Sequence, residues 1–72
     1  MENISYIFGN KITKYRKMKK LTQEELAEKL DVSKQAVSKW ENGKSFPKMG
    51  NIINICDELE IDYKELVEIL FN

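Results

Sequence analysis

Apolar residues recur along this 72-residue chain at intervals of three and four. No segment shows the sustained apolar-polar alternation of a half-buried strand, so the pattern predicts an all-α domain of five helices. Phe8, Ile12 and Tyr15 set the first helix over about residues 8–19, with Lys11, Lys14, Lys17 and Lys20 on or beside its outer face. Thr22 offers an N-cap hydroxyl and Glu25 completes a capping box three residues on, so a second helix starts there and turns Leu26, Ala27 and Leu30 inward. Ser33 caps a third helix with Ala36, Val37 and Trp40 on its apolar arc, and Asn42-Gly43 is a stop signal. After the loop at 44–47, Met49, Ile52, Ile53, Cys56 and Leu59 supply a fourth helix. Its start is weakly specified, because Lys48 stands where a capping side chain is wanted and Gly50 lies in the first turn; fraying is expected there. Asp62 with Glu65 reads as the cap of a last helix carrying Tyr63, Leu66, Val67, Ile69, Leu70 and Phe71.

The second and third helices hinge at Leu30-Asp31-Val32. At about 100° per residue, Lys34, Gln35, Ser38 and Lys39 fall on the arc opposite Ala36, Val37 and Trp40, so one face packs and the other is free. The small Ala27 lets the two helices approach closely, and Val32 closes the corner. Asp31 sits at the turn position that wants positive φ; glycine is the usual choice, and aspartate adopts that conformation at modest cost. This is the sequence form of a helix-turn-helix, whose outward arc is a candidate surface for reading DNA bases.

The formal net charge is zero, which taken alone argues against a nucleic-acid partner. The average hides a split. Residues 1–48 hold eleven of the twelve Lys and Arg against six acids, a balance of +5, whereas residues 49–72 hold Lys64 alone against six acids, a balance of −5. A basic half carrying the helix pair and an acidic half behind it would orient the molecule toward a phosphate backbone; the competing reading is of ordinary solvated faces that happen to segregate. Seventy-two residues make one domain, 1–72 with its core in 8–70, small enough that the helices must pack efficiently or the protein must dimerise. One cysteine excludes an intramolecular disulfide, and the chain has neither an apolar run long enough to span a bilayer nor a cleavable N-terminal signal, which points to the cytoplasm. Cys56 lies in an apolar stripe, and the chain has no histidine to activate it. With no metal-ligand cluster and no acid–base pair at credible spacing, no catalytic residue, metal or cofactor is expected.

Over residues 8–70 the chain resembles the Cro/CI-type (XRE) helix-turn-helix family, the DNA-binding fold of phage repressors. The resemblance rests on Phe8-Gly9-x-x-Ile12-x-x-Tyr15-Arg16, Leu21-Thr22-Gln23-x-x-Leu26-Ala27, Ser33-x-x-x-Val37-Ser38-x-Trp40-Glu41-Asn42-Gly43 and Pro47-x-Met49-x-x-Ile52. Each piece is weak by itself, and their occurrence in order is specific. The resemblance implies a compact five-helix bundle of the phage-repressor DNA-binding type, with helices two and three as the helix-turn-helix. It also implies that Gln23, at the positive end of helix two, contacts a phosphate; the competing reading is a solvated helix-start residue. Ser33, Lys34, Gln35, Ser38 and Lys39 line the end of the third helix that meets base edges. Gln35 is the best base reader, since its amide can pair bidentately with adenine, and Lys34 or Lys39 can reach guanine or a phosphate. Which lysine reads a base is open, and Ser33 divides evenly between capping and contact. Asn42 and Lys44 match family positions that grip the sugar-phosphate backbone, although Asn42 also serves to end the helix. Arg16 and Glu41 align with a partly buried ion pair of the family and read as structural, with Trp40 as a core anchor.

The function implied is a sequence-specific regulator of transcription, a repressor, that binds a roughly palindromic double-stranded operator as a homodimer with half-sites about 34 Å apart. The family and the surplus of apolar side chains on the last helix both support a dimer. Two other readings stay open. The fold could serve as an antitoxin or other protein-interaction module, binding a partner through its acidic C-terminal half. The basic residues from Lys11 to Lys20 could alternatively form an amphipathic segment for membranes or partner helices, but Arg16 and the apolar stripe there have better uses.

Overall fold

The structure is a computed structural model that describes residues 3–71; residues 1, 2 and 72 of the expected 1–72 domain lie outside the described residues. Five helices follow in order: α1 (Ile4–Met18), α2 (Gln23–Leu30), α3 (Lys34–Glu41), α4 (Met49–Leu59) and α5 (Tyr63–Phe71), with no strand among the described residues. They enclose one core in which Phe8 and Ile12 of α1, Leu26 of α2, Val37 of α3 and Ile55, Cys56 and Leu59 of α4 are almost completely buried. Among the described residues no helix is long and apolar enough to cross a membrane.

Local signals account for the helix-turn-helix. Thr22 Oγ1 accepts from the Glu25 amide at 3.0 Å and Glu25 Oε1 accepts from the Thr22 amide at 2.8 Å, which closes the capping box. Asp31 takes the left-handed conformation (φ 56°, ψ 45°), and the Val32 amide donates back to the Ala27 carbonyl at 3.0 Å. Ser33 Oγ accepts from the Ala36 amide at 3.1 Å and starts α3. Lys20 and Glu60 also adopt positive φ, and so each ends a turn without glycine.

Two glycines set how α1 meets the end of α3. A Cβ on Gly9 would lie 2.3 Å from the Trp40 carbonyl oxygen and 2.9 Å from that of Glu41, so only glycine permits the observed approach. Gly43, at φ 71°, would place a Cβ 2.9 Å from Tyr6 Cα; conformation and space both demand glycine there.

The structure corrects three expectations. α1 begins at Ile4, four residues before the periodicity starts, because Asn3 caps it by accepting from the Ser5 amide at 2.7 Å. On α4, Met49 (66% exposed) and Ile53 (44%) face solvent, and Ile55 takes the core position instead, with Ile61 beyond the helix also buried. The α5 cap uses Asp62 Oδ1, which accepts from the Lys64 amide at 2.9 Å, but no capping box forms. Glu65 is drawn away, accepting from the Tyr15 hydroxyl at 2.5 Å and from Lys11 Nζ at 2.9 Å. As read from the sequence, Lys48 makes no side-chain cap bond; α4 runs from Met49, with the Ile52 amide donating to the Lys48 carbonyl at 2.9 Å.

Candidate nucleic-acid interface

The inner face of α3 fixes its outer one. Val37 and Trp40 are buried in the core and Ala36 packs against it, which leaves Lys34, Gln35 and Lys39 exposed and Ser38 half-buried on the opposite arc. Lys34, Gln35 and Lys39 have no side-chain hydrogen-bond partner among the described residues. Their polar groups remain available to a ligand. Asn42 Nδ2 lies 3.4 Å from Ser38 Oγ as donor, a long contact that ties the end of the helix to the outer arc. The Lys44 amide donates to the Lys39 carbonyl at 2.9 Å, so the Lys44 side chain leaves from a backbone held against α3.

Beneath this arc lies a buried polar cluster. Arg16 Nε donates to Glu41 Oε2 at 2.6 Å and Nη2 to Glu41 Oε1 at 3.1 Å, a two-point pairing between residues that are both buried. Arg16 Nη1 donates to the Leu21 carbonyl at 2.7 Å, in the turn before α2. Gln23 Nε2 donates to Glu41 Oε1 at 3.0 Å, so α1, the start of α2 and the end of α3 meet at one carboxylate. Burial by itself pushes the Glu41 carboxyl up, but the hydrogen bonds from Arg16 and Gln23 and the Arg16 charge outweigh it and hold the group below its ordinary range. Gln23, read from the sequence as a phosphate ligand or a solvated side chain, therefore also has an internal partner. Reading α2 by itself misses this bond, because Glu41 is eighteen residues away.

Elsewhere the charge split is partly neutralised within the fold. Lys11 pairs with Glu65 and Lys19 with Glu60, so two lysines of the basic half are bound to acids of the other. The Lys11 amine is raised by its hydrogen bond to Glu65, and Glu65 is lowered by hydrogen bonds from Tyr15 and Lys11. Among the described residues, Lys34, Lys39 and Lys44 form no ion pair. Among the described residues Lys14, Lys17, Lys20, Lys29 and Lys48 likewise form none, so the unpaired positive charge is spread over the basic half and includes the outer arc of α3. Burial pushes the Cys56 thiol up, with the Asp57 charge adding to it, which makes it a poor nucleophile.

Residues 12–66 match the helix-turn-helix family model, from the middle of α1 to the middle of α5. Among curated proteins, the chain is similar to the HTH-type transcriptional activator BcrR of Enterococcus faecalis, 43% identical over 60 residues that make up 83% of this chain and 29% of that protein. It is 34% identical over 62 residues to the uncharacterized HTH-type transcriptional regulator YqaE of Bacillus subtilis, 86% of this chain and 53% of that protein. It is also 34% identical over 56 residues to the cryptic phage CTXphi transcriptional repressor RstR of Vibrio cholerae, 78% of this chain and 50% of that protein. The chain thus spans from under a third to about half the length of these relatives. The family match covers most of the chain and holds the capping box, the left-handed hinge at Asp31 and the packed inner face of α3: this protein belongs to the XRE-type helix-turn-helix family.

Proposed function

We propose that this chain is a sequence-specific regulator of transcription that binds double-stranded DNA and reads the major groove with α3. The observation that carries the reading is the outer arc of α3, whose Lys34, Gln35 and Lys39 lack internal partners while the inner arc is fixed in the core. In this reading Gln35 is the chief base reader, Lys34, Lys39, Ser33 and Ser38 contact bases or phosphates, and Gln23, Asn42 and Lys44 hold the backbone. The relatives' names include both an activator and a repressor. Repression is the reading adopted, since it asks only that the operator be occupied. Such a regulator works in the cytoplasm as a homodimer on a two-fold-symmetric site. Tyr63, Val67 and Phe71, spaced i, i+4, i+8 along α5 and all exposed, support the dimer as an apolar stripe that none of the described residues covers.

Selection of bound sequences from a random duplex pool tests the reading. A two-fold-symmetric motif with half-sites one helical turn apart, about 10 bp, or a multiple of it, is expected. A pool that shows no enrichment, together with an affinity indifferent to salt, would refute it, because phosphate contacts release counterions.

A further inference from the structure

Glu41, like Arg16, belongs to the frame that joins α1 to α3. The geometry gives it a second task. A glutamine side-chain amide carries two N–H donors and one carbonyl. Gln23 directs one of those donors to Glu41 Oε1 at 3.0 Å, and the same oxygen also accepts from Arg16 Nη2 at 3.1 Å, so the acceptor is itself held in place. Two consequences follow. The amide cannot flip, since its carbonyl would then face a carboxylate oxygen. Its rotation is also restricted before any ligand arrives, which removes part of the ordering cost of a contact made by the second donor.

We infer that Glu41 is a positioning residue for DNA binding: it orients the Gln23 amide so that the remaining N–H is presented to a backbone phosphate. Arg16 supports the same oxygen and keeps Glu41 ionised. The inference rests on the DNA-binding reading given above and adds a residue to it that touches no DNA. A neutral amide contributes affinity without neutralising a phosphate, so its removal leaves the salt slope unchanged, unlike removal of a lysine contact.

The test is a double-mutant cycle on a random-sequence 20-bp duplex, using the full chain, with Gln23→Ala, Glu41→Asp and the double variant. Glu41→Asp keeps the negative charge beside Arg16 but shortens the reach toward Gln23. In the wild-type background Gln23→Ala is expected to weaken binding about fivefold, the equivalent of one hydrogen bond, with the slope of log affinity against log salt unchanged. In the Glu41→Asp background the same change is expected to cost less than about twofold, because the amide has already been freed from its orientation. Equal effects in both backgrounds overturn the inference while leaving DNA binding standing; a wild-type chain that binds no duplex overturns both. A second measurement does not depend on the variants folding. In the wild-type protein one Gln23 side-chain amide proton should be shifted downfield and exchange slowly with solvent, with and without duplex, as a proton bonded to Glu41 Oε1 does; free-glutamine shifts and exchange for both protons in the complex would overturn the inference.

Discussion

Replacing Arg16 by methionine should destabilise the domain by an amount that grows with pH. The substitution retains most of the buried aliphatic stem and removes three donors: two to Glu41, at 2.6 and 3.1 Å, and one to the Leu21 carbonyl at 2.7 Å. It leaves a buried carboxylate with Gln23 as its one remaining partner among those bonds. Stranding a buried charge in this way costs about 3–5 kcal/mol. A 72-residue domain has roughly 4–11 kcal/mol in total, so the variant would be close to unfolding at neutral pH. The expected fall in Tm is at least about 12 °C, taking about 4–8 °C per kcal/mol for domains of this size. In the wild type the Glu41 carboxyl lies below its ordinary value of 4.5, so its contribution is full above that value and is lost as pH falls through the folded pKa. Without Arg16, burial dominates and the shift reverses. A raised carboxyl makes the folded state weaker as pH rises through and beyond 4.5, since the unfolded chain ionises first. Urea titrations followed by circular dichroism at pH 4 and pH 7 should therefore show a small difference between the two proteins at pH 4 and a large one at pH 7. A deficit of equal size at both would show that packing and the Leu21 bond, not the stranded charge, dominate. Arg16→Met combined with Glu41→Met should recover most of the stability at pH 7, because no charge remains buried.

Five further substitutions separate reading, gripping and packing. Gln35→Ala should cost about 1–3 kcal/mol on the selected site and relax selectivity at one base pair; an equal cost on cognate and random duplex in a binding titration would remove Gln35 as a base reader. Lys44→Ala should weaken all duplexes alike and reduce the salt slope by about 0.9 if the lysine neutralises one phosphate, which affinities measured at four salt concentrations would resolve. Gly9→Ala would favour the helix by about 1 kcal/mol, but a Cβ 2.3 Å from a backbone carbonyl cannot be accommodated in place. A net destabilisation of roughly 1–3 kcal/mol in a denaturant titration is expected as α1 is forced off α3. Ile55→Ala, which empties a fully buried position, should cost about 2–5 kcal/mol by the same measurement, whereas Ile53→Ala two residues earlier should cost little.

The features legible in the sequence were those decided within a few residues. Thr22 and Glu25, Ser33 and Asp31 act on amides or dihedrals one to three positions away, and the fold keeps them as read. The turn at 62–65 shows where that reasoning stops. Asp62-x-x-Glu65 has the same form as Thr22-x-x-Glu25, yet Glu65 leaves its box because Tyr15 and Lys11, fifty or more residues distant in sequence, offer stronger donors. In α4, apolar residues at 52, 53, 55 and 56 leave the phase of the helix ambiguous by one position. The core settles it by taking Ile55 and turning Ile53 out. At the candidate interface the outer arc of α3 follows from its own periodicity, but the Gln23–Glu41 bond depends on how two helices cross and has no local signature. The early start of α1 was obscured for a different reason: Tyr6 is exposed on its side-chain face and fits beneath Gly43 with its backbone.

These contacts give α3 two unlike ends. Its C-terminal turn is held by the approach of Gly9 to the Trp40 and Glu41 carbonyls, by Arg16 and Gln23 on Glu41, and by Gly43 against Tyr6. Its N-terminal turn is fixed by the Ser33 cap and the left-handed hinge at Asp31, while Lys34 and Gln35 have no internal partners among the described residues. The position of the helix and the identity of its outer side chains are therefore set by separate residues. Lys34, Gln35 and Lys39 add almost nothing to stability, so they can change without moving the axis of α3, and the buried cluster keeps that axis constant as they do. If α3 reads DNA as proposed, a domain built this way can acquire a new target by substitution at three or four exposed positions. The charge at Glu41 supports the same division, because an apolar pair could pack α1 against α3 but would give the Gln23 amide no acceptor to turn toward.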